Sequence, residues 1–238
     1  MSQEKVWDAE YKKSKLLTKE NKPQSDIVRF VHFLRKEEGI EVENLTILDL
    51  GSGTGRNSFY FSELDAKVIG FEISKTAIEI AEKNAKEAGL NIEYNKQSIG
   101  ETFPLENEVI DIALDVTSSN SLTEAEREMY LSETHRVLKR GGYFFVKSLC
   151  KDGDQNAKEL LKQFPGGEKD TYIMPGLLIT ERVWSKEDFV STYSKYFNIL
   201  SLEKKTSYSR INNRSYKRNF WIAYMKNLSR LDIICPLL

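Results

Sequence analysis

Between Leu45 and Leu149, short apolar runs alternate with stretches of helical spacing, and this alternation restricts the chain more than any other feature. "LTILDLG", "AKVIGFEI", "NIEYNKQS", "VIDIALDV" and "YFFVKSL" read as buried strands, being short, rich in branched and aromatic residues and bounded by polar stretches. "SKTAIEIAEKNAKEAG" predicts a helix capped by Ser74 and ended at Gly89, with Ile78, Ala81, Ala85 and Ala88 on one face. "TEAEREMYLSETHRVLKRGG" opens with a capping box, Thr123 and Glu126, and closes on Gly141-Gly142. Upstream, "SDIVRFVHFLRKEEG" predicts a helix with Ser25 as N-cap, Gly39 as stop and Ile27, Val31 and Leu34 at helical spacing. "SKEDFVSTYSKYF" is another capped helix, followed by strands at "FNILSLEKK" and "RNFWIAYMK".

Strands that alternate with helices must pair in parallel, because each crossover helix carries the chain back to the starting edge. The last two strands have only a short polar stretch between them, so they pair as an antiparallel hairpin at the sheet edge. The expected fold is α/β: a doubly wound, seven-stranded, mostly parallel sheet whose last strand runs antiparallel.

The third consequence of the pattern lies at the end of the first strand. "LDLGSGTG" places Gly51, Gly53 and Gly55 on alternate positions. Glycine adopts positive φ and lets another group approach the backbone closely. In a doubly wound sheet this is also the edge where ligands bind. A dinucleotide site requires G-x-G-x-x-G, and here Arg56 occupies the sixth position. The dinucleotide fingerprint fails at its third glycine.

An acid followed by G-x-G-x-G, here Asp49, Gly51, Ser52, Gly53 and Gly55, resembles motif I of the class I S-adenosylmethionine-dependent methyltransferases. The resemblance continues in order. "VIGFEIS" places Glu72, followed by Ile73, where that family holds the ribose hydroxyls with an acid. "QSIGETFPL" is similar to the segment bordering the adenine, with Ser98 and Ile99 where the family usually begins with aspartate. "DIALDVTSSNSL" resembles motif IV, with Asp115 at the strand end, and "HRVLKRGGYFFV" matches the turn into strand five, with Arg140 in place of the usual proline. "GSGTGRNSFYF" is similar to the small-molecule and tellurite-resistance-type members. The resemblance spans Ile47 to Val146 and implies S-adenosylmethionine as cofactor.

Around that core the chain reads as one domain: an N-terminal helical cap over 1–45, a cofactor-binding half over 46–150, and a substrate-side segment with the terminal hairpin over 151–238. Relatives fold an N-terminal segment over the cofactor, which implies such a place for Trp7 and Tyr11. Trp7 and Tyr11, with Asn120 and Tyr172, are also the candidates for contact with the acceptor. The Lys151–Val183 stretch has the length of a lid, and Phe164, Tyr172, Met174 and Trp184 are apolar enough to line one.

Each of these residues also has a plainer structural use. Asp49 serves equally as a loop acid, Glu72 as a cap for the helix at Ser74, Asp115 as an acceptor for its own loop amides, and Ser118, Ser119 and Asn120 as turn formers. His135 lies away from the cleft, His32 reads as a core-edge residue, and Cys150 as structural. Methyl transfer needs alignment of acceptor, carbon and sulfur more than any shared catalytic group, so no catalytic residue is assigned.

Composition narrows the classes. With 35 basic and 36 acidic residues the net charge is −1, which gives no bulk attraction to nucleic acid or membrane. Two cysteines, Cys150 and Cys235, exclude a disulfide framework and a four-cysteine zinc site. "DGDQNA" starts like a calcium loop but has Ala157 where glycine belongs, so no metal is expected. The charged start and the absence of a long apolar run predict a cytoplasmic protein. The final Cys235-Pro236-Leu237-Leu238 loosely fits a prenylation pattern and equally an apolar packed tail.

Lys204, Lys205, Arg210, Arg214, Lys217, Arg218, Lys226 and Arg230 lie interleaved with aromatics and without acids. That stretch is either a solvated edge hairpin or an RNA contact. The leading reading is a methyltransferase for a small-molecule acceptor; the alternatives are an RNA (tRNA) methyltransferase and a cofactor-binding protein without catalysis.

Overall fold

A computed structural model describes residues 3–13, 22–211 and 214–227. Seven strands form one sheet: β1 (Thr46–Leu50), β2 (Lys67–Glu72), β3 (Ile92–Lys96), β4 (Ile110–Val116), β5 (Leu138–Leu149), β8 (Phe197–Ile211) and β9 (Arg214–Asn227). Their spatial order is β3-β2-β1-β4-β5-β9-β8. β1 to β5 pair in parallel, while β9 runs antiparallel to both β5 and β8. The mostly parallel sheet with an antiparallel last strand is the expected one. Chain order reverses between β1 and β4, so their carboxyl ends diverge and leave a crevice there.

Inner strands are buried on both faces, which explains their continuous apolar runs. Successive side chains alternate between two cores. Leu48, Ala113, Phe144, Val146 and Met225 enter one, while Ile47, Ile112, Leu114, Phe145 and Ile222 enter the other. Helix α2 (Ser25–Lys36) covers the second core with Ile27, Phe30, Val31 and Leu34. Each such buried side chain stabilises the fold by roughly 1.5–3 kcal/mol.

Caps set the helix starts. Ser74 accepts from the Ala77 amide at the head of α4 (Lys75–Glu87), and Thr123 and Glu126 form the reciprocal box of α5 (Glu124–Val137). Gln24, not Ser25, is the N-cap of α2; its side chain makes no capping bond, and Ser25 is already helical. Ala88 caps the C-terminus of α4 and is exposed, leaving Ala77, Ile78, Ala81 and Ala85 as the packed face. α5 ends at Val137, earlier than Gly141-Gly142, because Leu138 already pairs with Ile110 on β4. Gly141 then takes φ +72 inside the long β5 strand, next to a register irregularity.

The Lys151–Val183 stretch contains α6 (Gln155–Gln163), capped by Asp154, and a small antiparallel pair, β6 (Thr171–Ile173) with β7 (Thr180–Arg182). α7 (Lys186–Tyr193) follows, capped by Ser185. His32 is exposed on α2 instead of lining the core edge, and His135 packs beside Tyr196 and Phe197. Among the described residues no helix is long and apolar enough to cross a membrane. The Cys235–Leu238 tail and Arg230 lie outside the described residues.

Candidate functional site

The glycine loop is shaped by its hydrogen bonds. The Gly51 and Ser52 amides donate to the Phe71 carbonyl at 2.8 and 2.9 Å, which turns the chain sharply off β1 and ties it to β2. Gly51 and Gly53 sit at φ +73 and +57, in the left-handed region. A Cβ on Gly51 would lie 2.1 Å from Ser118 Oγ, and one on Gly53 2.7 Å from Tyr11 Oη. A Cβ at either position would have to displace that side chain, and the positive φ adds strain.

Glu72 ends β2 and is buried under this loop. Its two oxygens accept one backbone amide each, from Gly53 at 2.9 Å and Ser74 at 2.8 Å. Burial raises its pKa, while those amides oppose the shift. With the Ile73 amide also acting on the carboxylate, at least one of its lone pairs remains for a further donor.

Helix α1 (Gln3–Lys12) lies across this end of the site. Asp8 Oδ1 accepts from Ser74 Oγ at 2.6 Å and from the Thr76 amide at 3.0 Å, so an acid on α1 supplements the N-cap of α4. The Ser74 hydroxyl and then the Thr76 amide hold the Asp8 carboxyl at about 2. Lys96 pairs with Glu4 at 2.6 Å. Trp7 and Tyr11 are thereby brought over the loop, and burial raises the pKa of the Tyr11 hydroxyl, so it remains neutral.

A cavity of about 1230 Å³ opens between α1, the loop, and the carboxyl ends of β4 and β5. That exceeds the roughly 300–1,000 Å³ usual for one small ligand. Of the residues singled out in the sequence, Trp7, Tyr11, Gly51, Ser52, Gly53, Glu72, Ile73, Ser98 and Ile99 line it. Five others lie elsewhere. Asp49 is beneath the loop, accepting from Ser58 Oγ at 2.6 Å, and burial pushes its carboxyl up to about 6. Gly55, at φ +88, packs the head of α3 (Arg56–Ser62), where a Cβ would lie 2.3 Å from Tyr94 Oη.

Asp115 is fully buried and pins the loop after β4, accepting from the Ser118 and Ser119 amides at 2.8 and 3.3 Å and from Tyr130 Oη at 2.7 Å. Asn120 Oδ1 accepts from the Leu149 amide at 3.2 Å, tying the same loop to β5. Tyr172 packs with Leu149, Ala157 and Val183, donates to Glu181 and accepts from Arg218 at 2.9 Å. The Lys151–Val183 stretch reaches the cavity through Leu178, Ile179 and Thr180. Trp184 instead joins the core beside Phe189 and Tyr193, and Phe164 is exposed. Cys150 is buried, which pushes its thiol up to about 11.

On the far wall, neither Lys147 nor Thr117 was a candidate from the sequence, while Phe220 comes from the basic, aromatic stretch read there as an edge hairpin or an RNA contact. Lys147 points in from β5, beside Phe220 from β9 and Thr117, which has φ +67, after β4. A lone lysine within "YFFVKSL", close to the carboxyl end of a strand, was the available signal. A second hollow of about 550 Å³, between Lys151 and Asp170, touches none of the loop residues. No group of histidine, cysteine or acid side chains able to hold a metal occurs among the described residues.

With this geometry in view, residues 41–212 match the family described as "Methyltransferase domain". A Bartonella quintana protein named ubiquinone biosynthesis O-methyltransferase is 30% identical over 134 residues, 54% of this chain and 53% of that protein. The chain thus spans about half the length of the curated relatives it matches. Among solved structures, a SAM-dependent methyltransferase from Methanosarcina mazei superposes with a TM-score of 0.68 at 20% identity, over 81% of this chain and 96% of that one. TehB from Haemophilus influenzae superposes at 0.64 with 17% identity, over 93% and 67% respectively. At these identities the superpositions establish a shared fold.

Proposed function

The chain belongs to the methyltransferase domain family, and from that premise we propose that it transfers a methyl group from S-adenosylmethionine to a small-molecule acceptor by direct in-line displacement. The observation that carries this reading is the single cavity bounded at one end by Glu72 and the glycine loop and at the other by Lys147 and Phe220. Its volume accommodates two ligands side by side.

The loop at Gly51 and Gly53 fits the cofactor: both residues line the cavity, and neither puts a side chain between its backbone and a ligand there. Glu72 would accept from the ribose with its remaining lone-pair capacity, and Ser98 and Ile99 would border the adenine. When bound, S-adenosylmethionine supplies an electrophilic methyl on a sulfonium. Trp7 and Tyr11 on α1 cover that end and exclude water from it. Leu178, Ile179 and Thr180 close the acceptor end. Asp49, Gly55, Asp115 and Asn120 hold the two loops in shape from below, which is positioning at one remove from either ligand. The Bartonella protein's name supports an oxygen as the atom methylated.

The RNA alternative draws less support from the hairpin. Lys205, Arg218 and Lys226 pair within the fold with Asp26, Asp154 and Glu38. The deciding experiment is a methyl-transfer screen with labelled S-adenosylmethionine against small metabolites and total RNA. Label in the metabolite fraction is expected. Label confined to RNA would replace this reading, and tight cofactor binding without any transfer would leave a cofactor-binding protein.

A further inference from the structure

One carboxylate in the fold is shared by three cations. Asp26, in the first turn of α2 and 2% exposed, accepts from Lys147 Nζ at 2.8 Å, from Arg29 at 3.0 Å and from Lys205. Among the described residues the other acid paired with these cations is Glu203, which reaches Arg29 at 3.9 Å. The cluster therefore carries excess positive charge beside the cavity. Burial alone would raise the Asp26 carboxyl, but the bonds and charges of Lys147 and Lys205 outweigh it and hold the group at about 2, so it stays ionised.

Lys147 is the member that faces the cavity. Its ammonium carries three N–H donors. Two are taken, by Gln24 Oε1 at 2.9 Å and Asp26 Oδ2 at 2.8 Å. The third has no hydrogen-bond acceptor among the described residues. The ammonium lies 4.9 Å from the Phe220 ring centroid, so an apolar surface adjoins the charge. Val116, Leu178 and Ile179 are among the apolar residues that line the same cavity. Burial and the neighbouring cations Lys205 and Arg56 depress the Lys147 pKa, against the opposing pull of Asp26.

β5 stands two strands from β1 on the side away from β2, so its backbone at Lys147 is about 10 Å from that of β1, at adjacent-strand spacings of about 4.8 Å. That is the acceptor end of the cavity, on the side away from Glu72. A charged donor held by two fixed partners beside a ring is preorganised to orient an acidic oxygen on a planar body.

We propose that Lys147 is the specificity-determining residue for the acceptor, binding an organic acid whose carboxylate lies against its ammonium and whose ring lies against Phe220. This inference rests on the methyltransferase reading and names the substrate class for it. The full chain, saturated with S-adenosylhomocysteine, is titrated by calorimetry with benzoate, phenylacetate and 3,4-dihydroxybenzoate, each beside its neutral carboxamide. At least one acid should bind tenfold or more tighter than its amide. Lys147→Met should abolish that preference, Lys147→Arg should keep most of it, and both variants should bind S-adenosylhomocysteine within twofold of the parent. Equal binding of every acid and amide, no binding of any acid, or a preference that survives Lys147→Met would overturn the proposal. If Lys147→Met fails to fold, the acid-to-amide ratio in the parent and in Lys147→Arg decides alone. Failure of S-adenosylhomocysteine itself to bind the parent would sink the methyltransferase reading, a result separate from all of these.

Discussion

The hydroxyl of Tyr11 occupies the space that a side chain on Gly53 would need, 2.7 Å from the Cβ position. Two segments 42 residues apart in sequence, α1 and the glycine loop, thus meet at the point where the loop backbone is barest.

Gly53→Ala should therefore fail twice over. A side chain at φ +57 costs roughly 1–2 kcal/mol, and the new methyl must displace Tyr11. Affinity for S-adenosylhomocysteine should fall about tenfold or more, equivalent to about 1.4 kcal/mol. In a Tyr11→Phe background the loss should shrink, because the colliding oxygen is gone. Equal losses in both backgrounds, measured by calorimetry, would show that Tyr11 does not press on the loop.

Glu72→Gln tests the carboxylate. The amide nitrogen has no lone pair, so one of the Gly53 and Ser74 amides is left without its acceptor. Stranding a buried donor costs roughly 1–3 kcal/mol, so the melting temperature should drop along with cofactor affinity. Unchanged melting with reduced binding would mean that Glu72 serves the ligand alone.

Asp49 makes a prediction in pH. Its folded carboxyl is raised to about 6 by burial first and the Asp115 charge second, against an ordinary value of 3.8. A raised acid costs stability when ionised, so the unliganded protein loses stability as pH rises from about 4 through 6. With about 1.4 kcal/mol for each pH unit between those values, the penalty is on the order of 2–3 kcal/mol. Asp49→Asn, which still accepts from Ser58, should be more stable than the parent at pH 8 and no more stable at pH 4. Denaturant titrations at the two pH values check the sign.

Asp8→Ala should loosen α1 without disturbing the sheet. It removes the acceptor for Ser74 Oγ and the Thr76 amide, the link between α1 and α4. Hydrogen exchange over residues 3–12 should speed up several-fold, and added S-adenosylhomocysteine should slow it again. Exchange in α1 indifferent to both the substitution and the ligand would remove its role as a cover.

The strands from Thr46 to Leu149 and the caps at Ser74, Thr123 and Ser185 could be read from the chain directly, because each is decided within a few residues by periodicity or by a side chain bonding a nearby amide. The glycine loop was equally legible, since positive φ restricts the residue type at the position itself. Even here the reading overreached at the margins. Leu138 left the helix early to pair with Ile110, a partner 28 positions away that no local window contains.

Which side chains face the cavity was a different matter. The acids at the ends of β1, β2 and β4 look alike in sequence, yet Glu72 lines the cavity while Asp49 and Asp115 brace loops from beneath. The difference comes from what packs over each strand end: α1 over one, α3 and α5 residues under the others. Tyr172, inside the lid-length stretch, and Trp184, just after it, were claimed by β9 and α7 instead, because burial against a formed core excludes more water than a half-open wall does. Lys147 and Asp26 are 121 positions apart, and Lys205 is 179 from Asp26. Backbone geometry and capping act between neighbours and so are written in the order of residues; the charge that faces a ligand is set by groups that only the closed sheet brings within bonding distance.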